Sequence, residues 1–227
     1  MTEMTFYIIG GISLLASLAI RGWLNSAYKK WGSVENSRGV TGADTARLIL
    51  SKNGLNDVGV EAVKGRLTDH YDPRSRTVRL SAGNYTADSV AALAVAAHET
   101  GHALQDASGY RMMRLRSSLV PLVNLSAQLG PYVLLLGFTG TMPVLMQIGV
   151  LLFAGSVLFH LVTLPVEFNA SHRALRQIEN LGLVSEQQMD GARRVLTAAG
   201  MTYVAAAATQ FAYLLYVIAF ARKGGSR

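Results

Sequence analysis

Residues 90–102 read Val90-Ala91-Ala92-Leu93-Ala94-Val95-Ala96-Ala97-His98-Glu99-Thr100-Gly101-His102, and the fold turns on them. The first eight are apolar on every side of a helix, so the segment predicts a helix buried all round. The last five form H-E-x-x-H. On a helix the two histidines are four residues apart and leave one face about 40° apart. Imidazoles so placed reach one ion at roughly 2.0–2.1 Å each, which suits Zn²⁺. Glu99 stands about 100° round the helix from His98. It is beside the ion rather than on it, where it can take a proton from water. The plainer reading is a core helix with two hydrogen-bonded histidines, but buried His and Glu are costly unless paired or metal-bound.

Outward from this helix the chain is rich in apolar runs. It has 227 residues, is 50% hydrophobic, and has a mean hydropathy of +0.27. Residues 4–20, 119–138, 144–164 and 204–221 each approach the roughly 20 residues that cross a bilayer. The first run has Glu3 rather than a basic residue before it, and no small-x-small site after it. It therefore reads as an uncleaved anchor with Trp23 at the interface. Pro121 and Pro131 are tolerable in a spanning helix. The short turn at 139–143 makes the second and third spans an antiparallel hairpin.

The polar segments carry their own signals. Residues 21–42 read as a basic connector. Thr41 opens a helix to about Leu50, and Val58 to Val63 reads as a strand. Leu67 to Tyr71 and Thr77 to Leu80 flank the turn Asp72-Pro73-Arg74-Ser75 and predict a hairpin. Thr86 is the expected N-cap of the His98 helix, with Asp88 in its first turn, and Gly109 its expected stop. Ser185-x-x-Gln188 is a capping box. Gly182 and Gly200 are expected breaks between helices.

There is no cysteine, so disulfides and thiolate metal sites are excluded. The net charge of +7 comes without an aromatic-basic repeat, so nucleic acid is not an expected partner; the lipid bilayer is. Most Lys and Arg lie in 21–118, with Arg173, Arg176, Arg193 and Arg194 in 166–203. The positive-inside rule places both segments in the cytoplasm. The tail Arg222, Lys223 and Arg227 pulls the other way.

A catalytic zinc takes three protein ligands and keeps one open position. The histidine of the extended metzincin pattern would fall at Ser108, and its glycine at Gln105, so that solution fails. A later carboxylate remains. Several exist, and Glu167, directly after the third apolar run, has the best setting.

The chain resembles a known family, the YugP-type neutral zinc metallopeptidases of bacterial membranes. The resemblance lies in Leu67-Thr68-Asp69-His70-Tyr71-Asp72-Pro73-Arg74, Val78-Arg79-Leu80-Ser81, the stretch Val95 to Gln105, and Leu164-Pro165-Val166-Glu167-Phe168, and it covers almost the whole chain. More distantly the site is similar to that of HtpX-type membrane proteases, whose pattern Glu-aromatic-x-Ala-Asp supplies the glutamate ligand. The resemblance implies one Zn²⁺ held by His98, His102 and Glu167, with Glu99 as base. The final aspartate of that pattern is Ser171 here; Asn169 is an alternative for orienting the histidines. His160, His172, Arg173 and Tyr110 are candidate electrophiles for the transition state. The strand Thr77, Val78, Arg79, Leu80 is a candidate for docking an extended peptide.

The implied fold class is mainly α: a multi-pass helical membrane protein with a zincin-like region made of the H-E-x-x-H helix and a small β-hairpin. Its expected parts are an anchor (1–24), a zincin-like region (25–118), a transmembrane hairpin (119–165), a third-ligand and cytoplasmic segment (166–203), and a last span with a basic tail (204–227). The expected substrates are peptides or membrane proteins. Three rivals are a catalytically silent zinc-binding membrane scaffold, a transporter or channel with His160 in the pore, which four spans and a large polar insert disfavour, and a site-2-like intramembrane protease. The last needs a Leu-Asp-Gly setting that the later spans lack. Oligomeric state is not legible in the sequence.

Overall fold

The computed structural model describes residues 3–139 and 143–224. The tip of the expected 139–143 turn and Arg227 of the basic tail lie outside the described residues. Seven helices and three strands follow in order: α1 (Glu3–Gly32), α2 (Gly42–Lys52), β1 (Gly59–Val63), β2 (His70–Asp72), β3 (Thr77–Ser81), α3 (Ala82–Thr86), α4 (Val90–Ala107), α5 (Arg111–Phe138), α6 (Pro143–Asn180) and α7 (Glu186–Gly224). The chain is thus mainly helical. Four helices, α1, α5, α6 and α7, are long and apolar enough to cross a membrane.

The chain divides into two compact units. One holds residues 1–20, 114–165 and 202–227; the other holds 21–113 and 166–201. In the first, Met146, Tyr216 and Val217 form a small core with Ile9, Leu134 and Phe153 against it. Its outer surface is apolar, with Tyr7, Leu15 and Leu151 about 70% exposed, as a lipid-facing surface requires.

The second unit is built round α4. Alanine, the strongest helix former, supplies much of its length. Its small side chains let neighbours close in on several sides. Leu93, Ala94 and Ala97 pack with Ile49, Ala174, Ile178 and Leu196. Ala96 and Ala103 pack with Tyr71, Val78 and Leu80 of the sheet. Ala91 packs with Ala27, Val195 and Ala198. The expectation of burial all round is met.

Several boundaries differ from expectation, each for a physical reason. The N-cap of α4 is Ser89, whose side chain accepts from the Ala92 N–H; Thr86 instead ends α3, because Ala87 is extended. α1 continues past its apolar run to Gly32, since Leu24, Ala27, Tyr28 and Trp31 recur at helical spacing against one cluster. α6 runs unbroken through Pro165, so Glu167 shares a helix with the third apolar run and with His160, which is no departure from expectation. Gly200 does not break α7: a Cβ there would lie 3.2 Å from the Phe168 ring, so this glycine serves close packing. The capping boxes Thr41/Asp44 and Ser185/Gln188 are both present.

The sheet is larger than a hairpin. β2 and β3 pair antiparallel as expected, but β1 joins β3 in parallel, giving the order β1-β3-β2. β3 is therefore central and hydrogen-bonded on both sides. Strand addition at Thr77, Val78, Arg79 and Leu80 is corrected by this topology, because β3 has no free edge. Val78 and Leu80 are fully buried. Arg79 is bound to Asp72 at 2.8 Å and to Glu61 at 3.4 Å, which holds the Asp72 carboxyl well below the usual carboxylate range.

Candidate metal centre

α4 and α6 touch backbone to backbone. A Cβ on Gly101 would lie 2.6 Å from the Ala170 carbonyl oxygen, so only glycine permits the approach. This contact sets the histidine face of α4 on the Glu167 face of α6. Glu167 is 2% exposed, and His102 and Glu99 are each 8% exposed.

Three ligand atoms converge. Glu167 Oε2 lies 3.3 Å from His98 Nε2 and 3.6 Å from His102 Nε2, and the ligand atoms of all three residues lie within 4.8 Å of one another. Ligands at about 2.05 Å in a tetrahedral shell stand about 3.3 Å apart, so the two Glu167–histidine distances suit zinc. The imidazole planes are near perpendicular, 87° apart.

The other ring nitrogens have partners of their own. Gln105 donates its Nε2 to the Val166 carbonyl at 2.7 Å and to Asn169 Oδ1 at 3.0 Å. Its Oε1 therefore faces His102 Nδ1, 3.0 Å away, and can only accept. The proton of a neutral His102 then sits on Nδ1, which leaves the Nε2 lone pair aimed at Glu167. His98 Nδ1 is 3.1 Å from Ser171 Oγ. Such outer partners orient metal-binding imidazoles.

Glu99 makes no hydrogen bond or ion pair of its own among the described residues. Burial pushes its carboxyl above the ordinary carboxylate range; the two imidazoles oppose this, and Glu167 and Asp69 add to it. Burial also opposes charge on His102, but the bond to Glu167, helped by Glu99 and Gln105, shifts it upward overall.

The structure thus brings His98, His102, Glu167 and Ser171 together. Asn169 does not touch a histidine; it accepts from Gln105 and from Arg173 Nε at 2.9 Å. Arg173 is tied to Asn169 and, at 3.5 Å, to the Leu104 carbonyl. His172 is exposed and Tyr110 half-buried. His160 Nδ1 lies 2.9 Å from the Ser156 carbonyl of its own helix.

Two features escaped the sequence reading. Gln105 is one, although its spacing of three from His102 puts both on one helix face. The other is a polar cluster in which Asp69 accepts from the Ser81 N–H at 2.7 Å and from Asn84 Nδ2 at 3.0 Å, with the Tyr28 hydroxyl donating to Asn84 Oδ1.

A zinc-affinity series separates ligand from strut. Glu167→Ala is expected to lose zinc during purification. Gln105→Leu is expected to retain it with about 10–100-fold weaker affinity, read by competition with a chromophoric chelator. Equal affinities for Gln105→Leu and the parent chain would show that Gln105 does not position His102.

Comparison with known proteins gives the family. The model of the family described as "Putative neutral zinc metallopeptidase" matches residues 6–222. The "Putative membrane protease YugP" of Bacillus subtilis (strain 168) is 44% identical over 211 residues, covering 91% of this chain and 94% of that protein. No solved structure matches the chain. With almost its whole length inside the family model, and with the donor set that a zinc site needs, the chain belongs to the family described as "Putative neutral zinc metallopeptidase".

Proposed function

We propose that this protein is a membrane-embedded zinc metalloendopeptidase of the gluzincin type, with a zincin-like catalytic region. One observation carries the reading: the ligand atoms of His98, His102 and Glu167 converge to within 4.8 Å of one another while a buried, unpaired Glu99 stands beside them.

A zinc ion held by those three residues would supply Lewis acidity to an attacking water and to the scissile carbonyl. Glu99 takes the proton of that water and passes it to the leaving amine. It has no competing partner, so its carboxylate is free for this shuttle. Gln105 and Ser171 hold the two imidazoles in orientation, and Gln105 also sets the His102 tautomer. Glu167 follows directly on the apolar run that ends at Leu164, which favours a site at the edge of the bilayer and substrates that are membrane proteins or peptides near it. The weight of Lys and Arg in 21–118 supports a cytoplasmic site.

The test is hydrolysis of casein by the detergent-purified protein. Cleavage is expected, lost on adding 1,10-phenanthroline and restored by zinc. A preparation that binds one zinc per chain yet never cleaves would instead identify a silent zinc-binding scaffold.

A further inference from the structure

α5 has two seams, and only one is covered. On its inner side Ser126, Gly130 and Gly137 are buried. Ser126 Oγ lies 2.9 Å from the Leu152 carbonyl of α6, and a Cβ on Gly137 would lie 2.7 Å from the Met146 backbone nitrogen. On the opposite side, Ser117, Pro121, Asn124, Gln128, Pro131 and Leu135 follow one another at steps of four and three. That is the spacing of a helix-packing seam. All six are exposed.

This outer seam carries two carboxamides. Asn124 and Gln128 both lie inside the apolar run 119–138, about 7 and 13 Å from its start at 1.5 Å per residue. Neither side chain has a hydrogen-bond partner among the described residues. A carboxamide unpaired in hydrocarbon is strongly unfavourable, and interhelical hydrogen bonds are the usual remedy.

We propose that this seam is the interface of a homodimer in the bilayer, with α5 packed on α5 of a second copy. The chemistry selects the partner. Copies share one orientation and depth, so about a two-fold axis along the membrane normal each residue meets its counterpart. A carboxamide carries both donor and acceptor, so Asn124 pairs with Asn124 and Gln128 with Gln128. A single polar residue in such a seam also sets register. The proposal is independent of the catalytic reading, since neither residue belongs to the metal centre.

The absence of cysteine makes the test clean. Asn124→Cys and Gln128→Cys are oxidised in native membranes beside Leu151→Cys, an exposed position on α6. Disulfide-linked dimer is expected to exceed that of Leu151→Cys by about tenfold, the ratio of one carboxamide pair. The parent chain is expected to run as a dimer when counted in lipid nanodiscs, and Asn124→Leu with Gln128→Leu as a monomer with unchanged zinc content. A monomeric parent chain overturns the proposal. So does cross-linking no stronger than at Leu151, or to a different membrane protein instead of a second copy.

Discussion

Glu99→Gln is expected to leave one zinc per chain and to lower kcat/KM for casein by about 10²–10⁴, the usual contribution of a positioned acid-base group. The substitution keeps shape and volume, so the packing of α4 stays as it is. Glu99 makes no ion pair, so none is broken. Glu99 has no hydrogen bond to lose, so the unfolding temperature should change little. These three readouts together discriminate between roles. If Glu99 were a zinc ligand, the metal would leave. If it were a structural anchor, stability would fall with activity. A variant that keeps zinc, folds well and still cleaves at the parent rate would remove Glu99 from the mechanism. Glu99→Asp is a useful companion: it keeps the charge but withdraws the carboxylate by one methylene, so an intermediate loss is expected from displaced geometry.

The sequence was most legible where chemistry is local. H-E-x-x-H names its own helix face, and the placement of Glu167 just after an apolar run made it the best third ligand. The helix start at Thr41 and the capping box at Ser185 are local signals and were equally readable. What escaped depends on distant partners. β1 pairs with β3 across a connection that includes all of β2, and nothing in Val58 to Val63 states that pairing, so β3 read as an edge. Thr86 and Ser89 are both good N-caps; the choice fell to Ser89 because Asn36 takes the Asp88 carbonyl and holds the chain extended there. Gly200 is a helix breaker by local propensity, yet α7 passes through it, since packing outweighs a local penalty of about 1 kcal/mol. Gln105 was visible only as a failed metzincin glycine, because its value lies in Val166 and Asn169 on another helix.

Gly101→Ala is expected to damage the second unit and the metal centre together. In a helix interior, alanine is favoured over glycine by about 1 kcal/mol, so the change stabilises wherever space allows. Gly22 in α1 is such a place, with nothing within 4 Å of a built Cβ, and Gly22→Ala should be neutral or stabilising. At Gly101 the new carbon would sit 2.6 Å from the Ala170 carbonyl oxygen and 3.1 Å from its carbonyl carbon. Both are backbone atoms, which cannot rotate aside as a side chain can. Overpacking of this kind costs about 1–3 kcal/mol or more, which outweighs the propensity gain. The strain has one direction of release: α4 and α6 must separate where His98 and His102 meet Glu167. Ligand atoms now 3.3 and 3.6 Å apart would open beyond the spacing of a tetrahedral shell. Zinc affinity and thermal stability should therefore fall together, and excess zinc should recover part of the lost stability because binding the folded state draws the helices back. Gly101→Ala with parent-like zinc affinity and unfolding temperature would mean that the backbone contact between α4 and α6 does not set the geometry of the metal centre.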